Sequence, residues 1–146
     1  NWFSDPPLSQ LLGGCFRNKI KPYATGFYRI KGKDEASRLS EEAISHYENG
    51  FDHMKIKLGF GLEDDLKCMK SISEVLEGKD VTLMVDTNHA YGRSEALHLG
   101  YALSEYNLRW YEEPVVPEDI NGYVELRSKL TMPIAGGEKW AYFVWL

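Results

Sequence analysis

Strand-like and helix-like patterns alternate along this chain with a regular beat, and the beat constrains the fold more than any other feature. "PPLSQLLGG" reads as the end of a helix, stopped by Gly13 and Gly14. "KIKPYATGFYRI" predicts a strand kinked at Gly26. The next segment, "KDEASRLSEEAISHYENG", steps its apolar residues Ala36, Leu39, Ala43, Ile44 and Tyr47 by three and four, as a helix does. "HMKIKLG" reads as a strand. "LEDDLKCMKSISEVLEG" places Leu62, Leu66, Met69, Ile72 and Leu76 on one helical stripe. "VTLMVDTN" is nearly continuous in apolar residues, as a strand buried on both faces is. "SEALHLGYALSEY" is a helix starting near Arg93 or Ser94, "LRWYEEP" a strand ended by Pro114, and "MPIAGGE" a last strand. Between those two strands, "EDINGYVELRSKL" sets Ile120, Tyr123, Val124, Arg127 and Leu130 at helical spacing.

Five strands joined by four helices imply right-handed crossovers and a parallel α/β sheet. A doubly wound open sheet and part of a (β/α)₈ barrel both fit. No G-x-G-x-x-G turn follows the first strand, and "KGKDE" there is no phosphate cradle, so a nucleotide-binding open sheet has no support.

Composition removes other classes. The net charge of −5 and the lack of any basic run argue against a nucleic-acid surface. No apolar stretch approaches the roughly 18 residues of a membrane span. The start, "NWFSDPPLSQ", has no basic region followed by an apolar one, as a secretory leader would. Cys15 and Cys68 stand far apart and form no metal-type pair; they read as reduced thiols of a cytoplasmic protein. The chain opens on Asn1 and closes on the apolar run "WAYFVWL", which predicts a fragment of something longer.

The chemistry concentrates at strand ends. Asp86 ends "LMVDTN", Glu112 and Glu113 end "WYEEP", and Glu138 ends "IAGGE". Asp86 and Glu112 are 26 residues apart, and so are Glu112 and Glu138, one β/α unit per step. Three adjacent strands therefore deliver a carboxylate to the same end of the sheet. Only one of Glu112 and Glu113 can face inward, because neighbours on a strand alternate. Carboxylates crowded together stay ionised only around a cation, and oxygen ligands suit Mg²⁺ first and Mn²⁺ second. Asn88 shares a face with Asp86 and is placed to orient a ligand or substrate. Lys55 and Lys57 also share one face of their strand, about 7 Å apart. A lone K-x-K on a strand is ordinarily solvated. Here it precedes the carboxylate strands in order, so the lysines are expected to face the barrel interior. His89 falls on the face opposite Asn88 and reads as structural; Trp110, Tyr111 and Trp140 read as packing.

As an ordered set, "KIK", "DTN", "EEP" and "GGE" resemble the enolase superfamily, mandelate racemase/muconate lactonizing subgroup. "LLGG" resembles the link between that family's capping domain and its barrel. "VDTNHAYGRSEAL", "RWYEEPVVPEDINGY" and "PIAGGE" are similar to members that act on sugar acids, dehydratases and galactarolactone cycloisomerases. The resemblance implies a remnant of the capping domain over residues 1–18 and the N-terminal part of a TIM-type barrel over 19–146, about five strands of the eight. It implies Mg²⁺ on Asp86, Glu112 and Glu138, with Lys57 as general base. Lys55 would bind the substrate carboxylate and lower the proton affinity of Lys57. The reaction implied is abstraction of the proton α to a carboxylate through an enediolate. Dehydration, cycloisomerisation and racemisation all begin that way. The missing strands would carry the second acid or base, so the chain by itself is expected to be inactive and poorly stable, and the full-length protein a homo-oligomer. Two other readings compete. One is a remnant that binds metal or a partner without catalysis. The other is an unrelated metal-dependent barrel, which predicts histidine ligands that these strand ends do not offer.

Overall fold

The computed structural model describes residues 7–30 and 34–139; the "WAYFVWL" run, Trp140 within it, and the "KGK" of the first connection lie outside the described residues. The elements follow the sequence beat. They are α1 (Leu8–Leu11), β1 (Ala24–Thr25), α2 (Glu35–Glu48), β2 (His53–Lys57), α3 (Leu62–Val75), β3 (Thr82–Asp86), α4 (Arg93–Leu103), β4 (Tyr111–Glu112), α5 (Ile120–Lys129) and β5 (Ile134–Ala135). A 3₁₀ turn, Ser104–Tyr106, extends α4. All strand pairs are parallel, and the sheet runs β1-β2-β3-β4-β5. This unshuffled order is that of a barrel wall, because a doubly wound sheet reverses direction partway along. Among the described residues no helix is long and apolar enough to cross a membrane.

Strand alternation divides the sheet into two chemistries. Met54 and Ile56 of β2, Leu83 and Val85 of β3 and Tyr111 of β4 are buried in the core with Ala36, Leu39, Met69, Ile72, Ala96 and Leu99 of the helices. The other face carries Lys55, Lys57, Met84, Asp86 and Glu112. Parallel register sets Lys57 beside Asp86 and Asp86 beside Glu112.

Two expectations need correction. The first strand is only Ala24–Thr25, not the whole of "KIKPYATGFYRI". Phe27 turns into the left-handed region at φ 57°, and its N–H goes to Glu42 Oε1 at 2.7 Å instead of to a neighbouring strand. The second concerns α5, whose core side is Gly122 and Leu126, continued by Leu130, with Ile120 and Val124 exposed. The cause is local. Asp119 caps the helix by accepting from Gly122 N–H at 3.0 Å and clasps Arg93 with Nε–Oδ2 at 2.6 Å. A Cβ on Gly122 would overlap Asp119, at 2.3 Å from Oδ2, so the glycine face turns inward. Glycine does not register in an apolar stripe, and the competing stripe looks stronger on paper.

Ile56 is fully buried under the helices, on the face opposite the lysines. Ile56→Ala should cost about 2–5 kcal/mol in urea unfolding without changing the side chains on the other face. A loss below about 1 kcal/mol would place Ile56 outside the core.

Candidate active site

The five-residue pairing of β2 with β3 builds the site. Lys57 Nζ donates to Asp86 Oδ2 at 2.5 Å and to Asn88 Oδ1 at 3.0 Å. Lys55 Nζ donates to Glu112 Oε1 at 2.8 Å and lies 3.4 Å from Asp86 Oδ2. Both lysines thus share a largely enclosed face, as the sequence predicts, and each is anchored to a carboxylate. Asp86 is fully buried, and its Oδ1 accepts the N–H of Asn88 at 2.9 Å. Asn88 can close this turn because it adopts φ 44°, a conformation asparagine tolerates.

Glu112 is held from both sides. Its Oε2 accepts the indole N–H of Trp110 at 2.8 Å. Trp110 in turn meets the Tyr23 ring edge-on at 6.0 Å, and Lys55 Nζ stands 5.8 Å from the Tyr23 ring centre. Trp110 is therefore more than packing. It precedes Glu112 by two positions on one strand, so a shared face was readable from the spacing.

Burial works to raise the Asp86 carboxyl, but the hydrogen bonds from Lys57 and the Asn88 amide, with the charges of both lysines, outweigh it and hold its pKa below the ordinary carboxylate value. Burial likewise works to lower the Lys55 ammonium, and the hydrogen bond and charge of Glu112, with the charge of Asp86, push it above the ordinary lysine value.

Glu113 turns away from this face, as alternation requires. It has φ 48°, is fully buried, and sets Oε2 2.8 Å from His89 Nε2, out of line for a hydrogen bond. The other ring nitrogen, Nδ1, is 3.2 Å from Val115 O, in keeping with a structural role for His89.

Glu138 does not join the group. Ala135 is the β5 residue level with Glu112, and Glu138 lies three positions beyond it, in an exposed turn past the strand end. β5 pairs with β4 alone among the described strands, so nothing on its other side holds that turn against the site. Among the described residues, no three His, Cys, Asp or Glu side chains stand close enough to hold a metal ion. The donor chemistry nevertheless suits a hard divalent cation: two carboxylates on neighbouring strands and an amide oxygen beside them.

Sequence reasoning missed a second polar cluster. Asp65, on the buried face of α3, accepts from Gly59 N–H at 2.7 Å, Phe60 N–H at 3.2 Å, Tyr91 Oη at 2.6 Å and Arg29 Nη2 at 3.1 Å. Burial pushes its carboxyl above the ordinary value, against the pull of these donors. The readable signal was a carboxylate three residues from Leu62 and four from Met69, within the apolar stripe.

The Asp86 shift gives a test in metal-free protein. A depressed carboxylate stabilises the fold above its unfolded pKa of about 3.9, and that contribution is lost as pH falls through the folded value. Carbon NMR should place the Asp86 midpoint below about 3.9, and Lys57→Met should move it upward. A midpoint that does not move would mean that Lys57 does not hold Asp86.

Residues 38–144 match the family described as Enolase C-terminal domain-like. Among curated relatives, D-galactarolactone cycloisomerase of Agrobacterium fabrum is 39% identical over 140 residues, covering 94% of this chain and 37% of the relative. Arabinonate dehydratase of Saccharolobus solfataricus is 36% identical over 140 residues, covering 95% and 36%. Among solved structures, the 3,6-anhydro-D-galactonate cycloisomerase of Zobellia galactanivorans superposes with TM-score 0.81 at 44% identity, covering 90% of this chain and 35% of that one. The chain thus spans about a third of the length of the relatives it matches. With five parallel strands in barrel order, strand-end carboxylates and a lysine pair on one face, the chain belongs to the Enolase C-terminal domain-like family.

Proposed function

We propose that this chain carries the base and part of the metal site of an enzyme that abstracts the proton α to the carboxylate of a sugar acid. One observation carries the reading. Lys57 Nζ is held between Asp86 and Asn88, beside Lys55, at the end of the strands where barrel enzymes work. Lys57 is the base. Lys55 takes the substrate carboxylate, and Asn88 orients the base or a hydroxyl of the substrate. Asp86, Glu112 and Glu138 would hold Mg²⁺, with Mn²⁺ as a substitute. Once bound, the cation supplies positive charge against the second negative charge that builds on the substrate carboxylate. The substrate class is supported by the names of the relatives, a galactarolactone cycloisomerase and an arabinonate dehydratase. Epimerases and a racemase also occur among them, so the first proton transfer is the shared step and the outcome differs.

The test uses the full-length protein in deuterated water with a panel of sugar acids. NMR should show exchange at the α-carbon, and Lys57→Ala should slow it by about 10²–10⁴-fold. Mg²⁺ affinity, measured by calorimetry, should stay within a few-fold. Mg²⁺ binding without any exchange in the unaltered protein would leave a metal-binding module instead.

The isolated 146-residue chain should give no turnover with the same panel. Measurable turnover by that chain would refute the view that strands beyond these five supply the second acid or base.

A further inference from the structure

Three loops leave the C-terminal end of the sheet in succession, and Asp65 takes a donor from each. Arg29 follows β1, Gly59 and Phe60 follow β2, and Tyr91 follows β3. Asp65 Oδ2 accepts from Gly59 N–H at 2.7 Å and Tyr91 Oη at 2.6 Å. Its Oδ1 accepts from Phe60 N–H at 3.2 Å and Arg29 Nη2 at 3.1 Å. The Tyr91 hydroxyl accepts Gly61 N–H at 3.0 Å, adding a second tie between the same two loops. Gly59, at φ 101°, backs so closely onto the β3 loop that a Cβ would sit 2.6 Å from Thr87 O.

Stability alone does not call for a carboxylate here. A buried charge is costly, and replacing such a group together with its partners by apolar residues is often neutral or favourable. What the carboxylate adds is a fixed relation between the loops. The β3 exit is already held by β4, through Thr87 N–H to Glu112 O at 3.1 Å and His89 N–H to Glu113 O at 2.8 Å. The β2 exit has one backbone tie past Lys57, Leu58 N–H to Asp86 O at 2.8 Å, and then depends on Asp65 and on the Tyr91 hydroxyl that takes Gly61 N–H. Lys57 is two residues before Gly59.

We infer that Asp65 is a positioning residue for Lys57: with Tyr91 it fixes the exit of β2 against that of β3, and so holds the Lys57 ammonium against Asp86 and Asn88. The inference rests on the assignment of Lys57 as the base, and it separates the base from the metal ligands, whose strands are tied without Asp65.

The test uses Asp65→Asn and Tyr91→Phe in the full-length protein, at a temperature where circular dichroism shows each folded. The rate constant for α-proton exchange should fall at least about tenfold, while the substrate KM and the calorimetric Mg²⁺ Kd stay within about twofold. An unchanged rate in a folded variant overturns the inference, as does a rate that falls together with Mg²⁺ affinity. If Asp65→Asn does not fold, Tyr91→Phe, which removes only a hydroxyl, decides by the same criteria. A readout independent of turnover is the ¹³C signal of reductively dimethylated lysines. The Lys57 signal should shift in Asp65→Asn while that of Lys55 does not, and an unmoved Lys57 signal overturns the inference. If the unaltered protein exchanges no α-proton, the proposed function fails, and the Lys57 signal alone then decides whether Asp65 positions that lysine.

Discussion

The pairing of β2 with β3 decides both the core and the site. Five residues run in parallel register from His53 beside Thr82 to Lys57 beside Asp86. Because side chains alternate, this register sends Met54, Ile56, Leu83 and Val85 to the helices and Lys55, Lys57, Met84 and Asp86 to the other face. A slip of one residue in either strand would carry charges into the helix layer and apolar groups out of it. The hydrophobic effect therefore selects the register, and the register places the ammonium of Lys57 on Asp86. The site needs no separate folding instruction.

The lysine–carboxylate group is not there for stability. Asp86 is fully buried and Lys55 nearly so, and taking such charges out of water costs about as much as their attraction returns. Burial disfavours both charged forms, and the partners' hydrogen bonds and charges outweigh it, which explains the depressed Asp86 carboxyl and the raised Lys55 ammonium without assigning the pair any net gain. The neighbouring interior residue, Met84, is apolar and fully buried. An apolar face is thus compatible with this sheet, and the charged residues on it call for a chemical reason.

Much of this was legible in the sequence because it follows from period. Alternating runs gave the element order, and spacing along each strand put Lys55 with Lys57 and Asp86 with Asn88. Glu112 and Glu113 were rightly expected to part. What failed depends on contacts between distant residues. The first strand shrank to two residues because Glu42 captures the N–H of Phe27. The face of α5 was set by Asp119, Arg93 and a glycine that no apolar count registers. Asp65 sat in plain view within an apolar stripe. Its meaning lies in donors from three other segments, and no local pattern predicts their convergence. Glu138 was readable as a strand-end carboxylate, but its place past a two-residue edge strand was not.

Charge counting ties the proposed roles together. The four charges that meet here, Lys55, Lys57, Asp86 and Glu112, sum to zero, so the group is neutral by itself. Bringing Glu138 in would leave the group short of one positive charge, and a dication would overshoot by one. The carboxylate of a substrate restores neutrality. Under the proposed reading, with Lys57 protonated, the complete site is therefore balanced only with both cation and substrate in place; with Lys57 neutral, as the base must be, it is one charge negative, which favours the return of a proton to Lys57. A monocation would leave the site neutral before substrate binds and remove that preference for an anion. The same arithmetic gives Lys55 a reason to be a lysine: an uncharged residue there would make the loaded site one charge more negative and oppose an acid substrate. The balance depends only on which groups share the face, and that was fixed when β2 and β3 paired.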